Sequence, residues 1–202
     1  MLVNLCGLQK SQTLLDPFCG LGTILQEALL MGLNVIGVDI SSAEIAKCRE
    51  NLNWLKKRFN LSPKLSSNVI RGDTLKMKSS DLPMVDAIAT EPILIPRLDK
   101  NPNGAKAIEI IRTASGKYRD SFRAFTEILQ PRGSVSIVAP DLIDDRGKSH
   151  GIDVAAVAAG FGFTLLQFPN DPGVHNPCVV PTTKRKIIQR KVYVMKYDRR
   201  VA

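Results

Sequence analysis

Between Thr13 and Ala159, short apolar, β-branched runs alternate with stretches of helical periodicity, and few folds accommodate that alternation. Strands joined through helices run parallel, because a parallel pair needs a crossover of about a dozen residues or more. Thr13–Phe18 reads as the first strand, and Thr23–Met31 as a helix ended by Gly32, where a left-handed residue is wanted. Asn34–Ile40 (NVIGVDI) is the second strand. Ser41-Ser42-Ala43-Glu44 has the form of a capping box, and behind it Ile45, Cys48, Leu52, Leu55 and Phe59 share one helical face. Asn68–Gly72 and Val85–Thr90 are the third and fourth strands. A polar, Pro-containing stretch (Ile93–Gly104) precedes helical sequence from Ala105 to Leu129, weakened around Ser115-Gly116. Pro131-Arg132-Gly133 turns the chain into a fifth strand, Ser134–Ala139. Val154–Ala159 predicts another helix, Phe163–Phe168 a sixth strand and Lys186–Tyr197 the last. No helix-forming stretch separates the final two strands, so they are expected to pair antiparallel across a long loop, Pro169–Lys184.

The expected architecture is α/β and Rossmann-like: a seven-stranded, mainly parallel sheet with a C-terminal antiparallel strand pair, as in the class I methyltransferases. All 202 residues are read as a single domain, 1–202. With 44% hydrophobic and 23% charged residues, the chain can form a packed core and is not disordered in composition. No apolar run approaches the roughly 20 residues of a bilayer span, and the N-terminus lacks the pattern of a signal peptide. The expected location is therefore cytoplasmic, with no membrane partner. Four cysteines, Cys6, Cys19, Cys48 and Cys178, are widely spaced, which suggests free thiols; with only two histidines, no metal site is expected.

Charge is distributed unevenly. Of a net +9, residues 184–202 carry +7, from eight basic side chains against Asp198. Lys184, Arg185, Lys186, Arg190 and Lys191 form a candidate nucleic-acid contact, with Arg199 and Arg200 beyond them; a solubilising edge is the other reading of the same charges.

Ligands of open α/β sheets sit beyond the carboxyl ends of the strands. Asp16, Asp39, Asp73 and Glu91 fall there, one for each of the first four strands. A single such acid commonly serves a turn or cap, but four in succession are harder to attribute to capping. The first loop, Asp16-Pro17-Phe18-Cys19-Gly20-Leu21-Gly22-Thr23, holds two glycines that allow close backbone approach to a ligand. It is not a dinucleotide fingerprint, because Leu25 stands at the third glycine position. A carboxylate guarding the loop suits a cationic amino-acid group better than a phosphate. S-adenosylmethionine has a sulfonium and an ammonium and no phosphate. Asp39 can accept from both ribose hydroxyls and Asp73 from the adenine amine. Pro17, Phe18, Thr23, Ile40 and Thr74 complete the candidate cofactor residues.

The segment DPFCGLGT closely resembles the cofactor loop of the RNA guanine-N2 methyltransferases, especially the THUMP-linked tRNA enzymes. The likeness extends through MLVNL, NVIGVDIS, RGD, DAIATEP, KNPNGAKAIEII, ILQPRGSVSIVAP and RKVYV. The resemblance implies that Asp16, Phe18, Gly20 and Gly22 line the cofactor, that Asp39 holds ribose and that Asp73 meets adenine. It implies catalysis at Glu91-Pro92, in the place of the family's [DN]-P-P-[YF] motif. Two departures stand out. Ile93 occupies the aromatic position that would stack a flipped base, and too few residues precede the loop for a THUMP domain; a fragment, a separate RNA-docking subunit or domain, or a changed substrate would each account for these.

The implied reaction is methylation of an exocyclic amine, guanine N2 in tRNA first of all. Glu91 would accept one amine hydrogen and the Pro92 carbonyl the other, drawing the nitrogen lone pair out of ring conjugation. Two alternatives stay open: a DNA adenine or cytosine amino-methyltransferase, and a catalytically idle, cofactor-binding subunit of an RNA-modifying complex.

Overall fold

The computed structural model describes residues 1–78, 80–92, 95–166, 177–180 and 187–198. Its strands are β1 (Thr13–Asp16), β2 (Asn34–Asp39), β3 (Ser67–Arg71), β4 (Val85–Thr90), β5 (Leu129–Ile143), β6 (Ser149–Gly151), β7 (Phe163–Leu165), β8 (Cys178–Val180) and β9 (Ile188–Tyr197). Its helices are α1 (Leu2–Leu5), α2 (Thr23–Leu30), α3 (Ser42–Arg58), α4 (Gly104–Ile128) and α5 (Val154–Ala159). Seven strands lie in the order β3-β2-β1-β4-β5-β9-β7, while β6 pairs with β5 and β8 with β9. The first five strands are mutually parallel. β9 runs antiparallel to both β5 and β7, closing the sheet as expected. Chain order reverses between β1 and β4, so a crevice opens at the carboxyl ends of those strands.

Two apolar layers cover the sheet. On one side Leu25, Ala28 and Leu29 of α2 join Ile45, Cys48, Leu52 and Leu55 of α3. On the other, Tyr118, Phe122 and Phe125 of α4 are fully buried against β4, β5 and β9. The Tyr118 hydroxyl is satisfied there, donating to the Val138 carbonyl at 2.7 Å.

Several local expectations change. The first strand stops at Asp16, and Phe59 ends α3 as an exposed residue edge-on to Trp54. Only half of the capping box forms: Ser41 Oγ accepts from the Glu44 amide, but the Ser41 amide donates to Asp39. α4 passes unbroken through Ser115-Gly116, with the Ser115 hydroxyl folded back onto the Ile111 carbonyl. Pro131–Gly133 does not separate helix from strand. β5 already begins at Leu129 and absorbs the segment as an irregularity, with Arg132 at a φ of 63°. The expected loop Pro169–Lys184 contains strand β8, and β6 adds a short hairpin after β5. Phe168 and Lys186, expected strand residues, lie outside the described residues.

Gly37 of β2 packs closely against Leu25 of α2 and Cys19 of the loop before it. A Cβ there would come within 2.5 Å of Leu25 Cδ1 and 3.0 Å of Cys19 Sγ. Gly37→Ala is expected to overpack this junction and destabilise the protein by about 1–3 kcal/mol. Urea unfolding would show a lower midpoint with an unchanged m-value; an unaltered midpoint would mean that α2 can shift freely.

Candidate functional site

The loops after β1, β2, β3 and β4 converge on one cavity of about 550 Å³. Their convergence is enforced by hydrogen bonds that carboxylates make to backbone. Asp39, at the end of β2, accepts from the Gly20 amide with Oδ2 and from the Ser41 amide with Oδ1, both at 2.9 Å. Asp16 accepts from the Phe18 amide at 3.2 Å and from the Thr90 hydroxyl at 2.8 Å, tying the β1 loop to the end of β4. Thr74 is buried and donates to the Pro17 carbonyl, and Asp73 caps the 3₁₀ turn Thr74–Lys76 by accepting from the Leu75 amide.

Of the sequence-predicted residues, Pro17, Phe18, Gly20, Asp39, Ile40, Asp73, Thr74 and Glu91 line the cavity together. Four others do not. Asp16 is only 2% exposed and works from behind the wall. Gly22 turns left-handed (φ +82°) to start α2, and a Cβ on it would meet Cys48 Sγ at 2.5 Å. Thr23 is exposed in the first turn of α2, and Pro92 is buried outside the lining. Ile93 lies outside the described residues, as do Lys184, Arg185 and Lys186 and the terminal Arg199 and Arg200.

Of the five predicted contact residues, Arg190 and Lys191 are described, and both face acids of this same chain. Arg190 Nη1 meets Glu91 Oε1 at 2.8 Å, and Lys191 Nζ meets the buried Asp141 Oδ2 at 3.0 Å. Sequence reasoning missed Glu44, Gly72, Leu75 and Lys117 in the lining. Glu44 was visible as a motif residue but assigned to capping, and Lys117 of α4 had no local signal.

Four carboxylates (Asp39, Glu44, Asp73 and Glu91) and one ammonium (Lys117) line the cavity among the described residues. Such a wall repels phosphates and favours a ligand rich in hydroxyls and cationic groups with a single anionic end. Ile40 is 66% exposed at the rim and offers an apolar surface to a flat ring.

Known proteins of similar sequence and fold can be set beside this geometry. A family model described as RMKL-like, methyltransferase domain, matches residues 1–92. The tRNA (guanine(10)-N2)-dimethyltransferase of Methanothermobacter thermautotrophicus is 32% identical over 143 residues, covering 71% of this chain and 37% of that protein. A probable tRNA (guanine(10)-N2)-dimethyltransferase of Methanothermococcus thermolithotrophicus is 33% identical over 135 residues, covering 65% of this chain and 72% of that protein. The chain thus spans little more than a third of the first relative and most of the second. Among solved structures, TrmN from Thermus thermophilus aligns over 97% of this chain and 47% of its own, with a TM-score of 0.62 and 21% identity. The N-methyltransferase NodS from Bradyrhizobium japonicum aligns over 98% of this chain and 93% of its own, with a TM-score of 0.62 and 11% identity. Both likenesses establish the class I methyltransferase fold.

Burial pushes the Asp16 carboxyl from an ordinary 3.8 up to about 7; the Thr90 hydroxyl and Phe18 amide pull it down, and the charges of Asp39 and Glu91 raise it further. The folded state therefore holds this proton more tightly than the unfolded chain does. Its contribution to stability is fully present below about 3.8 and is lost as pH rises through about 7. Asp16→Asn keeps an acceptor oxygen for both donors and removes the titration. Melting curves are expected to show a flatter pH dependence between about 4 and 7. Above that window the variant should gain about 2–4 °C for each kcal/mol recovered. Parallel profiles in the two proteins would assign the titration to another group.

Proposed function

The chain belongs to the family of the tRNA guanine-N2 methyltransferases, and from that premise we propose that it transfers a methyl group from S-adenosylmethionine to an exocyclic amine of a nucleic-acid base, guanine N2 in tRNA. The observation that carries this reading is the placement of Glu91 on the wall of the same cavity that Asp39 and Asp73 line. An acceptor for an amine hydrogen thus shares one chamber with acceptors suited to a ribose and an adenine.

The donor set fits the cofactor. Each oxygen of Asp39 already accepts one backbone N–H, which fixes the carboxylate and leaves lone pairs for the two ribose hydroxyls. Asp73 is oriented by its cap bond and suits the adenine amine, while Lys117 suits the one carboxylate of the methionine moiety. Asp16 stabilises the loop from beneath. S-adenosylmethionine, when bound, supplies an electrophilic methyl group on a sulfonium.

What this chain's residues do is bind, orient and accept. An exocyclic amine is a poor nucleophile because its lone pair is shared with the ring. Glu91 accepts one amine hydrogen and the lone pair is freed for in-line attack; the Pro92 carbonyl, expected to accept the other, is not in the lining and does not carry the reading. Positioning and desolvation carry much of the acceleration. The base leaves its stack to reach Glu91, at a cost of about a few kcal/mol. With isoleucine at position 93, less of that cost is recovered than an aromatic platform would recover, about 1–3 kcal/mol per base. We read residues 1–202 as one catalytic domain working on RNA in the cytoplasm, with docking helped by a separate subunit or domain. No helix among the described residues is long and apolar enough to cross a membrane.

The test is transfer of labelled methyl groups onto unmodified tRNA, followed by nucleoside analysis. Label is expected on guanine N2; cofactor binding with no transfer to any nucleic acid would leave the idle-subunit reading, and label on DNA bases the other alternative. Single-turnover rates should fall in the order wild type, Glu91→Gln, Glu91→Ala, with a loss of about 10²-fold or more for alanine. Cofactor affinity by calorimetry should stay close to wild type, because the defect lies in the transition state. Equal rates in wild type and Glu91→Ala would end the catalytic assignment.

A further inference from the structure

Arg190 belongs to the basic segment whose charges suggested RNA phosphate contacts, yet its guanidinium is turned inward. It sits on β9 opposite Pro140 of β5, and Glu91 follows β4 on the far side of β5. The side chain therefore reaches across β5 to place Nη1 2.8 Å from Glu91 Oε1. Both side chains are about two-fifths exposed, at 43% and 41%. An ion pair this open contributes little to folding, because water screens it and two long side chains must be ordered. Its effect on orientation is larger. Glu91 ends its strand at the cavity wall, and without a partner its carboxylate would sample solvent-facing rotamers.

We infer that Arg190 is a positioning residue for methyl transfer, holding the Glu91 carboxylate in one orientation at the cavity wall so that its remaining lone pairs meet the target amine. The inference rests on the reading of Glu91 as the amine's acceptor. One N–H on one oxygen occupies a single acceptor site of about four on a carboxylate, so acceptor capacity remains. The planar fork of a guanidinium fixes direction as well as charge. Lysine at this position would keep the charge and lose the fork. The same geometry makes a phosphate contact by Arg190 a competitor of its bond to Glu91, and the two roles predict different measurements.

The experiment compares Arg190→Gln and Arg190→Lys with wild type, in single-turnover methyl transfer to unmodified tRNA and in tRNA binding across a salt series. A positioning role predicts at least a tenfold loss of rate at saturating tRNA for Arg190→Gln and partial recovery in Arg190→Lys. It also predicts an unchanged tRNA affinity and salt slope. In a Glu91→Gln background, Arg190→Gln should cost far less than it does in wild type, since the carboxylate it would orient is gone. Melting temperatures near wild type would confirm that the variants fold. Weaker tRNA binding with a log–log salt slope reduced by about 0.7–0.9, at an intact saturated rate, would make Arg190 a phosphate contact and overturn the inference. Equal losses in both Glu91 backgrounds would overturn it as well. Active wild type with unaffected Arg190 variants removes the Arg190 role alone, whereas inactive wild type removes the Glu91 reading and this inference with it.

Discussion

The carboxylate of Asp39 organises the ligand-binding end of this molecule. One oxygen holds the Gly20 amide and the other the Ser41 amide, each at 2.9 Å, so the loops that launch α2 and α3 are tied to a single charged group. Hydrogen bonds to a charged acceptor are stronger than neutral ones, by roughly twofold. They also fix the acceptor. The group that arranges the two loops is thereby held still before any ligand arrives. Removing it would loosen the wall as well as delete a contact, so a measured affinity loss at this position cannot be read as the strength of one interaction.

A second set of ties joins the other half of the crevice. Asp16 bonds to Thr90, Thr74 to the Pro17 carbonyl, and the Gly72 amide to the Asp39 carbonyl. Consecutive strand ends are thus stitched into a ring of polar contacts above an apolar sheet. A buried acid such as Asp16 is costly to ionise, and it remains because its neighbours donate to it. The fold accepts local instability there in return for a preorganised loop behind the wall.

Much of this was legible in the chain. Strand sequences such as VDAIAT and NVIGVD are short, β-branched and bounded by turn residues, and the parallel half of the sheet followed from them. The acids at successive strand ends marked the crevice, since nothing in strand formation asks for them. Residues whose role depends on distant partners stayed hidden. Lys117 is one of two lysines in a 25-residue helix, and only the packing of α4 against the sheet puts it in the cavity lining. Arg190 and Lys191 look alike in sequence but meet different acids, because alternate residues of a strand face opposite sides of the sheet. Asp16 and Gly22 were legible as important and misleading as to contact. Both shape the binding loop from outside the cavity.

Gly22 carries a consequence for how the molecule can vary. Its α-carbon rests against the thiol of Cys48, a fully buried residue of α3 that has no view of the cavity. The loop's curvature is therefore set by the bulk of a side chain one helix away, and positions 22 and 48 amount to one shared volume divided between two residues. Enlarging either displaces the other, and the displacement is delivered to Gly20, whose amide Asp39 holds. A mutation in the interior of α3 would then register first as weakened ligand binding, in a protein whose binding residues were all intact.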